Sequence, residues 1–215
     1  MYRMTLLIIS LFSFSAAASD WELSKSDAEN AIHIYTREAK GSSLQEFRGE
    51  LVVNSRLTAL VALVEDSKSA PQWLDQCQAL EVVEDISDYE KVFYMVMDAP
   101  WPISDRDSVF RSILSQDKTT GVVHIRMTSE PDSFPDNKDY LRIKNMTGYW
   151  EFIPQGGGEI KVIYQVFADP GGGIPVWLAN SVIVDNPYNT LKNMANLVKK
   201  PRYQQAELKN IIPFD

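Results

Sequence analysis

The stretch Asp169-Pro-Gly-Gly-Gly-Ile-Pro-Val-Trp-Leu-Ala-Asn-Ser-Val-Ile-Val-Asp-Asn-Pro-Tyr-Asn-Thr-Leu-Lys-Asn-Met-Ala-Asn-Leu-Val-Lys199 decides the architecture. Asp169 to Gly173 breaks the preceding segment, and Ile174-Pro175 opens a helical period with proline near the first turn, where its missing N–H costs nothing. Trp177, Ser181, Val184, Tyr188, Leu191, Ala195 and Val198 then recur at three- and four-residue spacings, flanked by Leu178, Val182 and Met194. The spacing predicts one amphipathic helix over 174–199, about 39 Å long at about 1.5 Å per residue. Asp185, Asn186, Asn189, Lys192 and Asn193 bar it from being a membrane span. Pro187 removes an interior hydrogen bond, so a kink is expected near Ile183.

Upstream, the pattern is almost entirely strand. Segments 79–87, 91–98, 106–115, 121–128, 141–153 and 160–168 follow one another across short turns, which implies antiparallel pairing. Two earlier strands, 31–35 and 47–53, flank the turn Lys40-Gly41-Ser42-Ser43. Leu57, Leu60, Val61 and Val64 switch to helical period, with Ser55 as the expected cap. The whole is an α+β domain. In Lys91 to Met97 both strand faces are apolar: Phe93, Met95 and Met97 on one side, Val92, Tyr94 and Val96 on the other. Such a strand is either covered by a helix and by loops, as ordinary core, or lines a cavity where soft Met and aromatic side chains adapt to an apolar guest.

Composition bounds the function. The chain has 215 residues, 45% hydrophobic and 23% charged, the balance of a single globular domain whose length needs no disulfide or structural metal. A formal charge of −8 repels phosphate backbones and argues against nucleic-acid binding. Met1-Tyr2-Arg3, the apolar run from Thr5 to Phe14 and Ala16-Ala17-Ala18 read as a secretory signal peptide, residues 1–18, too short to span a bilayer. Residues 19–215 then form the mature domain, secreted and, for a bacterial source, periplasmic. Losing Arg3 takes its charge from −8 to −9. The lone Cys77 has no partner within the chain and is expected to be buried and inert.

Three motifs carry a family resemblance. Pro100-Trp101-Pro102-Ile103-Ser104-Asp105-Arg106-Asp107-Ser108-Val109-Phe110, Gly148-Tyr149-Trp150-Glu151-Phe152, and Asp169 to Asn180 followed by Val184 to Leu191 stand in the order and separation of the START (steroidogenic acute regulatory protein-related lipid transfer) domain. Residues 21–200 resemble that family. The resemblance implies a helix-grip fold, in which a long curved antiparallel sheet wraps a C-terminal helix and encloses one lipid, often a sterol, phospholipid or sphingolipid. It also implies a gate made of that helix and the loop Ala99 to Asp105. On this basis the cavity candidates are Phe93, Met95, Met97, Phe110, Ser112, Leu114, Trp177, Ser181, Val184 and Tyr188, with Val109 and Arg111 facing away. Ser112 stands where sterol-binding members carry an internal basic residue, a departure that weighs against a specific sterol assignment.

The gate and headgroup candidates are Trp101, Arg106, Asp107 and Asp185. Arg106 and Asp107 are adjacent on a strand and point oppositely, so at most one faces inward; a structural pair is the favoured alternative. Asp185 presents its carboxylate to a ligand or simply lies on the polar face of the helix. Trp101 inserts into a membrane interface, where Trp is favoured, or anchors a closed gate. No catalytic residues, cofactor or metal are expected: His33 and His124 are isolated, and neither a Gly-x-Ser-x-Gly elbow nor a phosphate-loop Lys is present. The function expected is that of a monomeric carrier that binds a lipid and touches membranes transiently. A helix-grip cyclase or hydrolase and a lipid-sensing module are the alternatives.

Overall fold

The computed structural model describes residues 20–99, 101 and 103–214; the expected leader 1–18 lies outside them, as do Pro100 and Pro102 of the gate loop. The chain runs β1 (Glu22–Asp27), β2 (Ile32–Glu38), β3 (Gln45–Asn54), α1 (Leu57–Glu65), a 3-10 helix (Ser67–Gln72), β4 (Cys77–Ser87) and β5 (Glu90–Met97). It continues with β6 (Arg106–Gln116), β7 (Val123–Ser129), β8 (Leu141–Ile143), β9 (Asn145–Gly156), β10 (Glu159–Asp169), α2 (Val176–Ser181), α3 (Asp185–Leu197) and α4 (Pro201–Gln204). The strands form a single sheet in the order β1-β2-β3-β10-β9-β7-β6-β5-β4, every neighbour antiparallel. The fold is the expected α+β helix-grip fold.

Three departures from the sequence pattern have local causes. β1 carries one apolar residue, Leu23, and that side chain is exposed; the strand is held by backbone pairing to β2, which no hydrophobic period can announce. The run 141–153 divides at Lys144. β7 pairs with β6 only from Phe110 onward, which leaves the backbone of Arg106 to Ser108 open, and β8 fills that edge in parallel. Ser129 marks the division: its hydroxyl donates to the Lys144 carbonyl at 3.1 Å and accepts the Met146 N–H at 3.1 Å. Finally, the cap of α1 is Arg56, without a side-chain bond, and Ser55 donates instead to the Arg56 carbonyl.

The predicted 174–199 helix is two helices. Val182 to Val184 separates α2 from α3, so the kink expected near Ile183 is a full break. Pro187 falls in the first turn of α3, where its missing N–H forfeits no intrahelical bond. α3 lies on β2 and β3 with Leu191 and Met194 fully buried among Ile32, Ile34 and Leu51. Gly49 permits that approach, since a Cβ there would sit 2.7 Å from Leu191 Cδ1.

α3 is also tied to the first hairpin. Asp27 accepts hydrogen bonds from the Asn30 amide at 2.7 Å, from the Tyr188 hydroxyl at 2.7 Å and from the backbone N–H groups of Glu29 and Asn30. The Asn30 and Tyr188 bonds hold its carboxyl down from 3.8 to about 2. A depressed folded-state value means the contribution is complete above 3.8 and disappears as pH falls toward about 2. In thermal unfolding, the stability gap between wild type and Asp27→Asn is therefore expected to narrow across that window. A gap that stays constant through it would contradict the assignment.

Candidate functional site

The concave face of the sheet and the two helices enclose a cavity of about 270 Å³. Strand alternation builds its walls. Phe93, Met95 and Met97 on β5 and Phe110, Ser112 and Leu114 on β6 all line it, the Phe93 and Phe110 rings stacked at 5.5 Å. The intervening Val92, Tyr94, Val96 and Val109 point outward and are roofed by Phe134 and Tyr140. Arg111 also faces out, bonded to Glu90 and Glu130. The two alternatives for the two-sided strand thus both apply, one to each face.

The helix candidates require correction. Trp177 is 72% exposed, and Ser181 is exposed, its hydroxyl donating to the Leu178 carbonyl at 2.7 Å. Val184 packs against the main core, and Tyr188 lies under the Lys25 ammonium, 3.9 Å from its ring, while bonding Asp27. The helical wall of the cavity is instead Leu178, Ala179, Val182, Ile183, Asn186, Pro187 and Thr190. Leu191 and Val198 belong to the stripe that seats α3 on the sheet. Extrapolating that stripe backward selected sheet-facing positions, and the break at 182–184 resets the phase for α2.

Among the gate and headgroup candidates, Trp101 is 92% exposed, while its loop neighbours Ala99 and Ile103 line the cavity. Arg106 lines the cavity, and Asp107 points to the opposite face, where it forms a two-pronged ion pair with Arg142 at 3.0 and 2.9 Å. These two residues are not paired with each other. Asp185 lies outside the cavity, its exposed carboxylate 2.8 Å from Lys25 Nζ, as the polar-face alternative has it.

Several wall residues were not anticipated. Met127 on β7, Met146 on β9, and Tyr164 and Val166 on β10 extend the apolar surface, and alternation along those strands was the available signal. The Tyr164 and Trp150 rings stack in parallel at 3.8 Å. Trp73, Leu74, Asp75, Gln76 and Cys77 contribute a turn that Pro71-Gln72-Trp73-Leu74 signals in the sequence, although nothing there marks it as cavity wall. Asp75 joins it to α3: its N–H donates to Thr190 Oγ1 at 3.0 Å, its carbonyl accepts from Asn186 at 2.9 Å, and its carboxylate accepts from Asn189 at 3.3 Å. Burial raises the Asp75 carboxyl and lifts the Cys77 thiol to about 11, so the thiol stays protonated and unreactive near neutrality. Among the described residues, no cluster of three His, Cys, Asp or Glu is placed to hold a metal. The arrangement offers an apolar guest a largely apolar wall with two cations in it: Lys91, paired with Glu65 at 3.4 Å, and Arg106, which has no carboxylate partner among the described residues.

The START domain family model matches residues 13–203, and the chain belongs to that family. Phosphatidylcholine transfer protein of Homo sapiens is 30% identical over 193 residues, covering 86% of this chain and 88% of that one. An uncharacterized protein of Pseudomonas aeruginosa is 32% identical over 200 residues, covering 92% of this chain and 97% of that one. Among solved structures, the STAR-related lipid transfer protein of Xanthomonas axonopodis superposes with a TM-score of 0.76 at 35% identity, covering 84% of this chain and 99% of that one. Human StAR-related lipid transfer protein 5, 18% identical with a TM-score of 0.74, covers 83% of this chain and 86% of its own and shares the fold.

Proposed function

We propose that this protein binds a single hydrophobic lipid in the cavity and carries it between membranes without covalent chemistry. The observation that carries the reading is the enclosure itself, an apolar space between sheet and helices in a chain of the START family. A lipid chain leaving a bilayer loses about 0.8 kcal/mol per CH₂, and only a water-free apolar wall compensates for that transfer. The names of the human and Xanthomonas relatives, both lipid transfer proteins, support it.

In this reading α2 and the 99–105 loop are the gate. The cavity of about 270 Å³ lies just under the ~300–1,000 Å³ of typical ligand sites, so a sterol or two-chain phospholipid requires it to widen, and an outward swing of α2 does so. Exposed Trp101 and Trp177, one on each gate element, suit a transient stay at the membrane interface. With a formal charge of −8, net electrostatics do not drive that docking. The carrier works as a monomer, exported by the leader 1–18. Native mass spectrometry of the purified protein is expected to find one lipid per chain, and incubation with vesicles to load empty protein. Protein that purifies empty and extracts nothing from vesicles would overturn the reading.

A further inference from the structure

Arg106 stands apart from the other arginines that are not solvent-exposed. Arg37, Arg48, Arg111 and Arg142 each have a carboxylate partner. Arg106 is only 7% exposed, and among the described residues no carboxylate lies within ion-pair distance of it. Its Nε donates to the Pro170 carbonyl at 3.4 Å and Nη1 to the Ser104 carbonyl, while Nη2 has no hydrogen-bond partner among the described residues. The adjacent acid, Asp105, is turned away: one oxygen accepts the Ala99 N–H at 2.9 Å and the other the Gln78 amide at 2.8 Å.

Removing a guanidinium from water without a counter-charge costs several kcal/mol, and arginine does not escape by losing its proton. Burial does push its proton affinity down, as expected of a desolvated cation. The two carbonyls it holds belong to the gate loop and to the Asp169–Gly173 loop, so the cation sits where both meet the cavity. The Gly172 loop leaves it room: a Cβ on Gly172 would come within 3.5 Å of Nη2.

We propose that Arg106 is the headgroup site of the cavity and that the preferred ligand is an amphiphile with an acidic headgroup, a phosphate or a carboxylate, whose tail lies along the apolar wall toward Phe93 and Phe110. This rests on the lipid-carrier reading and adds the ligand's charge to it. The free Nη2 edge and the second N–H of Nη1 form a donor pair suited to two oxygens of one anion. The small cavity favours a single chain as the probe.

The test compares two acid-neutral pairs that share one palmitoyl chain, palmitate with its methyl ester and palmitoyl lysophosphatidate with monopalmitoylglycerol, each competed against a fluorescent fatty-acid methyl ester bound to the full mature chain. Wild-type protein is expected to prefer an acid over its neutral partner by about tenfold or more, the scale of a charge-assisted hydrogen bond. Arg106→Gln is expected to erase that preference, with acid binding falling further than binding of the neutral partner, because only the acid loses a charge-assisted pair. Preference for palmitate assigns a carboxylate and preference for lysophosphatidate a phosphate; either supports the proposal. Equal binding of acid and neutral partner in both pairs by wild type would overturn it and leave the carrier reading standing. Failure of every probe, and of vesicle lipid, would sink both. The acid-to-neutral ratio is measured on unaltered protein, so the test stands even if Arg106→Gln folds poorly.

Discussion

Asp107→Asn is expected to lower the unfolding free energy by about 3–5 kcal/mol, the usual cost of stripping one partner from a buried ion pair. The side chains of Arg142 and Asp107 are 6% and 1% exposed, and two N–H···O bonds at 3.0 and 2.9 Å join them. Arg142 also donates to the carbonyls of Pro131 at 2.6 Å, Phe134 at 3.1 Å and Pro135 at 3.0 Å. The guanidinium therefore fastens the segment that roofs Val92, Tyr94, Val96 and Val109. Without the Asp107 charge, it remains a buried cation with carbonyl partners and only the solvent-exposed Asp136 carboxylate at 3.5 Å. Denaturant titration should show the loss, and hydrogen exchange should show amides around 131–136 opening first. Replacing both partners with apolar residues, as in D107L/R142M, should recover much of the stability, because the desolvation penalty goes with the pair. A loss under about 1 kcal/mol in the single variant would place this pair with solvated surface pairs instead.

The Q45C/N180C disulfide is expected to reduce lipid exchange to the level of protein-free vesicles, with full recovery on reduction. The Asn180 side chain on α2 accepts the backbone N–H of Gln45 at 3.1 Å, which places the two residues at the junction of α2 and the first residue of β3. α2 has no fully buried residue, while α3 is seated through Leu191, Met194 and Leu197. The low-stability element is the one that moves, so opening separates α2 from β3 and the break at Val182 to Val184 serves as its hinge. Fluorescent-lipid transfer between vesicles measures the rate. Oxidised protein that transfers as fast as reduced protein would refute gating by α2. Cys77 is buried with a raised thiol pKa and does not compete for the crosslink.

Legibility in the sequence followed the range of the forces involved. Alternation at period two is local, so the faces of β5 and β6 could be read directly: Phe93, Met95, Met97, Phe110, Ser112 and Leu114 share one side, Val92, Tyr94 and Val109 the other. Helical period along Leu191, Ala195 and Val198 is equally local, and it marked the seat of α3 on the sheet. Adjacent strand positions point oppositely, which separated Arg106 from Asp107 before any partner was known.

Tertiary structure decided the rest. A period of 3.6 residues runs through a proline without indicating whether the helix bends or breaks, so it does not fix the phase of α2: Trp177 and Ser181 face solvent, while Val184 and Tyr188 on the far side of the break pack against the core. β1 and β8 exist because neighbouring strands left backbone donors and acceptors open, a demand invisible in their own side chains. The charge logic of the site depends largely on partners distant in the chain. Asp107 finds Arg142 35 residues away, while Arg106 finds only carbonyls. The sequence by itself determined the faces of the strands and the motifs whose resemblance to START domains implies a space between sheet and helix. Which helix residues wall that space, and which cation is left unpaired inside it, depended on long-range packing, because burial and pairing are properties of the folded chain.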